Sequence, residues 1–150
     1  MRLMALIMIA LITGGTFVYS ENGPVGFELT AAQKGLLLPK LDRQWERLFE
    51  PELKKRASIV EVAAFALNAA ATGYRQERLE TALYYIAENI NRSKRNAQTY
   101  GNIFWYYGDK EVKDPNAVEF CLRQTLPIWI LYRDRLSPKA EVSLREIFDL

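Results

Sequence analysis

Residues 58–73 read Ser-Ile-Val-Glu-Val-Ala-Ala-Phe-Ala-Leu-Asn-Ala-Ala-Ala-Thr-Gly, and they leave a chain of this length few ways to fold. Ser58 followed three residues later by Glu61 is a capping box: the serine oxygen accepts the amide of residue 61, and the glutamate accepts that of the serine. Behind the cap, Val62, Ala63, Phe65, Ala66, Leu67, Ala69 and Ala70 make a helix that is apolar on nearly every side. Such a helix is buried on most faces, and its alanines let neighbouring helices come close. Gly73 supplies the left-handed residue that ends it.

The flanking sequence is amphipathic helix. Leu41, Trp45, Leu48 and Phe49 recur at i, i+4, i+7 and i+8 with Asp42, Arg43, Glu46 and Arg47 opposite, and Pro51 stops that helix. A helix over about residues 76–91 carries Leu79, Leu83, Ile86 and Ile90 on one stripe. Only residues 73–75 separate it from the alanine-rich helix, so the two are expected as an antiparallel hairpin. Asp114-Pro115 reads as the N-cap and first residue of a later helix, with Val118, Cys121, Leu122, Thr125, Ile128, Trp129 and Tyr132 inward and Pro127 kinking it. Ser137-Pro138 repeats the device before Leu144, Ile147 and Phe148. No segment reads as a strand. The expectation is an all-α fold of antiparallel hairpins over residues 41–150, with residues 21–40 an extended lead-in marked by Gly23-Pro24, Gly26 and Gly35. Hairpins with long loops on one side and short ones on the other are the organisation of an α/α toroid. Three to five helices cannot close that ring, so the domain is expected to be part of one.

The first twenty residues read as a signal peptide. Arg2 precedes ten uninterrupted apolar residues, Gly14-Gly15 breaks the run, and Val18-Tyr19-Ser20 presents a cleavage site. The alternative is an uncleaved anchor, because residues 3–20 carry no charge. Either way a secreted or periplasmic folded part is expected, with membrane contact only through that segment. Beyond residue 20 the chain has 19 basic and 18 acidic residues, which gives no electrostatic footprint for nucleic acid. Histidine is absent, so histidine-based nucleophilic triads and zinc sites are excluded. The lone Cys121 has no disulfide partner and falls among core positions. Any acid–base chemistry must come from carboxylates, tyrosines, lysines or arginines.

The candidate surface lies in residues 101–119. Phe104, Trp105, Tyr106 and Tyr107 stand between two glycines, followed by Asp109, Glu111, Asp114, Asn116 and Glu119. The surrounding stretch from Arg92 to Lys113 has no helix or strand period, and a loop that long in a helical domain is usually functional. Tyr and Trp faces pack on the C–H face of a sugar, while Asp, Glu and Asn hydrogen-bond its hydroxyls. The plainer alternative is that the four rings only fasten the loop to the core. Asn116, Glu119 and Arg123 share one helix face at i, i+3 and i+7, either as site residues or as a solvated face with a Glu119–Arg123 pair. Asp109, Glu111 and Asp114 do not match a calcium-loop spacing, so no cofactor is expected.

The signal peptide, the alanine-rich hairpin, Gly101-Asn102-Ile103-Phe104-Trp105-Tyr106 and Asp114-Pro115-Asn116-Ala117-Val118-Glu119-Phe120 together resemble the opening of secreted α/α-toroid proteins of the six-hairpin glycosidase and polysaccharide-lyase type. The resemblance covers roughly residues 40–150 and is one of pattern. It implies a sugar-binding cleft, with an oligo- or polysaccharide as partner. The substrate-binding candidates are Asn102, Trp105, Tyr106, Tyr107, Asp109, Asn116 and Arg123. If the chain is a glycoside hydrolase or lyase, Asp114 and Glu119 are the catalytic candidates, since hydrolysis needs two carboxylates about the scissile bond. The missing histidine departs from lyases of this type. The alternative function is a non-catalytic exported helical domain that binds a protein or peptide.

Overall fold

A computed structural model describes residues 16–20, 23–49, 57–93 and 98–149, with residues 16–20 and 23–27 described by backbone alone. The apolar run of residues 3–12, Pro51 and the basic pair Lys94-Arg95 lie outside the described residues. The fold is all-α, with one small ribbon ahead of the helices. Its elements are β1 (Thr16–Ser20), β2 (Gly23–Glu28), α1 (Ala31–Phe49), α2 (Ile59–Thr72), α3 (Gln76–Glu88), α4 (Ala117–Tyr132), a 3-10 turn (Arg133–Arg135) and α5 (Pro138–Phe148).

The alanine-rich helix is the centre. In α2, Ala63, Phe65, Ala66 and Ala69 are fully buried, and the helix packs against α1, α3 and α4. Small side chains on three sides make this possible, because each methyl lets a neighbouring backbone approach. The capping box is present in both directions, and Gly73 ends the helix with φ 69°. The α2–α3 hairpin follows as expected, and α5 packs on the far side of α3. Leu41 and Leu48 of α1 are buried, and its Trp45 and Phe49 stack with ring centroids 4.2 Å apart. Both rings reach Phe65 of α2, at 5.8 and 6.1 Å. Cys121 is buried, and burial pushes its thiol up to about 12. It is a core residue.

Three sequence expectations need correction. First, β1 and β2 form an antiparallel ribbon with Thr16 opposite Glu28 and Ser20 opposite Gly23, where no strand was expected. The β-branched and aromatic residues at 16–19 suit a strand. Pro24 lacks an amide hydrogen but is tolerated because a two-stranded ribbon consists only of edges. Second, the first helix begins at Ala31, ten residues before Leu41. Thr30 and Gln33 make a second capping box, with the Gln33 amide on Thr30 Oγ1 at 3.2 Å and the Thr30 amide on Gln33 Oε1 at 2.8 Å. This stretch showed no period because it is mostly solvated, Leu36 being 70% exposed. Third, α4 starts at Ala117 and not at Pro115. Asp114 Oδ1 accepts the Asn116 amide at 2.8 Å, closing a turn ahead of the helix.

Candidate functional site

The loop between α3 and α4 is irregular but firmly held. Buried Asn89 and Asn91, just past the end of α3, hold it from below. Asn89 Nδ2 donates to the Phe104 carbonyl at 2.8 Å, and its own carbonyl accepts the Phe104 amide at 3.0 Å. Asn91 exchanges backbone bonds with Asn102 and Gly101 at 2.7 and 2.9 Å, and its side chain donates to Thr99. Between them Ile103 is fully buried opposite Ile90. The Trp105 carbonyl accepts the Ile59 amide at 2.9 Å, so the loop also closes over the start of α2. Gly101 and Gly108 turn the chain at φ 80° and 82°, values that favour glycine.

This backbone sorts the four rings. Phe104 and Trp105 are half-buried, and Trp105 meets Phe120 of α4 edge-on at 6.0 Å. Tyr106 and Tyr107 are 39% and 38% exposed. Lys113 lies 5.7 Å above the Tyr106 ring. Tyr107 stacks on Tyr85 of α3 at 4.8 Å with an interplanar angle of 27°. Tyr85 in turn touches Tyr84 at 6.4 Å and the core ring Phe49 at 5.2 Å. Tyr84, 54% exposed, extends the row outward. Its phenol is raised above the usual range, chiefly by the charge of nearby Glu88. The result is a tyrosine shelf of two stacked rings, Tyr107 on Tyr85, with Tyr84 set edge-on to Tyr85 at 72° and the row anchored to the aromatic core.

The predicted polar residues are more dispersed. Asp109 holds the turn beneath the shelf, accepting the Tyr106 amide at 3.3 Å and pairing with Lys113 at 3.0 Å. Asn102 bridges the two ends of the loop by donating to the Pro115 carbonyl at 3.0 Å. Asp114 closes the turn before α4, and Asn116 is exposed at the helix start. Glu119 pairs with Arg123 on an exposed face of α4. Asp109 thus shares a turn with Tyr106, whereas the contacts of Asp114 and Glu119 are local to the start of α4.

Two clefts border the loop and the helices. One, of about 580 Å³, lies between α3 and α5 and includes Tyr84 and Glu88. The other, of about 460 Å³, is lined by Tyr100, Asn102, Val118, Leu122 and Phe148 among others. Of the predicted site residues only Asn102 lines either cleft. Tyr84, Tyr85, Asn89 and Asn91 were missed by sequence reasoning. Tyr84 and Tyr85 lie off the apolar stripe of Leu79, Leu83, Ile86 and Ile90, and two adjacent rings outside that stripe are the one signal the sequence offers. Among the described residues no cluster of acidic or cysteine side chains is placed to hold a metal, and no helix is long and apolar enough to cross a membrane. Comparison with protein-family models, curated proteins and solved structures finds no match to this chain.

Proposed function

We propose that this protein is an exported glycan-binding helical module of the α/α-toroid carbohydrate-active kind that its sequence resembles. The observation that carries the reading is the tyrosine shelf: Tyr107 stacked on Tyr85, Tyr84 beside it, and the whole row fixed to the core through Phe49. A pyranose ring needs a flat, rigid apolar face that remains open to solvent, and rigid tyrosines provide this with little entropy to lose on binding. Tyr106 with Asp109 and Lys113 adds hydrogen-bonding groups on the adjoining turn.

Binding is better supported than turnover. Asp114 is engaged in its turn and Glu119 with Arg123. If the module acts on its glycan, those two remain the carboxylates to test. The deciding experiment is calorimetric titration of the whole chain with neutral oligosaccharides. Tyr107→Ala is expected to weaken binding by about tenfold, about 1.4 kcal/mol, while Glu119→Gln leaves it unchanged. Equal binding by wild type and Tyr107→Ala would remove the shelf from recognition.

A further inference from the structure

The outer face of α4 is laid out symmetrically about Leu126. The inner face, with Cys121, Thr125, Ile128 and Tyr132, is buried, and the main neighbours of the helix among the described residues are α2 and β2. On the opposite side Leu126 is 43% exposed, Ile130 is 59% exposed and Leu122 is half-buried. Leu122 and Ile130 stand four residues before and after Leu126, and Glu119 and Arg133 stand seven before and after it. Arg133 keeps helical angles, φ −51° and ψ −44°, so the helical period carries through to it. All five positions therefore fall in one strip along the helix.

We propose that this strip binds a second copy of the chain, the two α4 helices lying antiparallel across a two-fold axis at Leu126. A two-fold contact needs a patch complementary to itself: what stands before the axis must fit what stands equally far after it. Here Leu126 meets its own counterpart, Leu122 meets Ile130 of the second copy, and Glu119 meets Arg133 of the second copy. Like charges at the two ends would repel in this arrangement, whereas opposite ones attract. The cleft of about 460 Å³ opens beside Leu122 and Leu126, walled by Tyr100 and Phe148, and seats Ile130 of the second copy. Within one copy Glu119 pairs with Arg123 one turn on, and Arg133 lies 3.9 Å from its neighbour Asp134. Exposed local pairs of this kind are weak, which leaves both charges able to join a pair across the axis. One 16-residue helix and a cleft make a contact at the small end of the range for specific dimers, so a micromolar dissociation constant is expected.

The test is sedimentation velocity of the whole chain, from below to well above micromolar concentration, where a monomer–dimer equilibrium is expected. Ile130→Asp and Arg133→Glu should each weaken association by about tenfold or more, and Glu119→Arg combined with Arg133→Glu should restore it. These positions are exposed, so circular dichroism should show the variants folded as wild type. Mild oxidation of Leu126→Cys should give a disulfide-linked dimer, because the axis brings the two copies of that position together. Lys139→Cys, on α5, should not link, and buried Cys121 takes no part. A chain that is monomeric throughout overturns the pairing, as does association that survives both single variants. So does a double variant that associates no better than Arg133→Glu, or a Leu126→Cys chain that links no faster than Lys139→Cys. A monomeric chain whose Leu126→Cys thiol is shielded only when lipid vesicles or another protein are added also overturns it, since the face then has a different occupant. The pairing is independent of the glycan reading, so Tyr107→Ala should associate as wild type does.

Discussion

Phe65 lies where three elements meet, with Trp45, Phe49 and Tyr74 around it at 5.8 to 6.2 Å. Phe65→Ala would remove the ring on which these contacts converge, and a loss of about 3–5 kcal/mol is expected in a denaturant titration. The same core sets an alkaline limit. Burial raises Cys121 from 9 and Tyr132 from 10, each to about 12. The folded state thus holds these protons more tightly than the unfolded state. That contribution is complete below pH 9 and is lost as pH climbs towards 12. Thermal melts should show stability falling above pH 9, and Cys121→Ala should remove the thiol's share of the fall. In the native protein at pH 8, thiol reagents should label Cys121 only as fast as the chain opens. That Cys121 is a core residue could be read from its apolar neighbours in sequence. The different fates of Trp105 and Tyr107 could not, because a loop without a period does not say which ring turns inward.

Helix ends and joints carry predictions of their own. Ser58 caps α2, with Glu61 answering it. Partial burial works against the Glu61 charge, but hydrogen bonds from Arg47 and Ser58 hold its carboxyl below the usual range. Ser58→Ala should cost about 1 kcal/mol. Helix α1 is tied to the start of α3 through Asp42, which accepts the Tyr74 hydroxyl and pairs with Arg78 at 3.0 Å. The Tyr74 hydrogen bond foremost, and the charges of Arg75 and Arg78, hold Asp42 below the usual carboxylate range. A lowered pKa gives stability above the ordinary value that is lost as pH falls through the folded one. Hydrogen exchange should therefore show α1 loosening at acid pH, and Asp42→Asn should make that pH dependence vanish. At the loop, Asn89→Ala leaves the part-buried Phe104 carbonyl without its side-chain donor. A loss of about 1–3 kcal/mol is expected, with weaker glycan binding as the shelf loses its footing. Both capping boxes were written in the sequence, although Thr30–Gln33 was overlooked beneath the irregularity of Gly35 and Pro39. The contacts of Asn89 and Asn91 were not written there, because their partners lie more than seven residues away.

For the molecule as a whole, the order of packing is α1 on α2, α2 against α3 and α4, and α3 against α5, with β2 running beside α4. Glu28 at the end of the ribbon pairs with Arg135 after α4 and with Lys34 in α1. Export as proposed would bring cleavage after Ser20 and remove β1 entirely, leaving β2 without its partner strand. Intact-mass measurement of the protein recovered from the periplasm or medium checks this directly. A mass lacking residues 1–20 is the expected outcome, and a full-length mass in the membrane fraction would indicate an anchor.

The sequence alone was enough for the helical class, the buried alanine-rich helix, its caps and the α2–α3 hairpin. Each of these follows from local periodicity and from side chains within a few residues of one another. The tertiary structure decided which rings reach solvent and which polar side chains hold the loop. It also brought Tyr107 onto Tyr85, twenty-two positions away in the chain. Pairings across such distances depend on how helices close on one another, which no short-range pattern encodes.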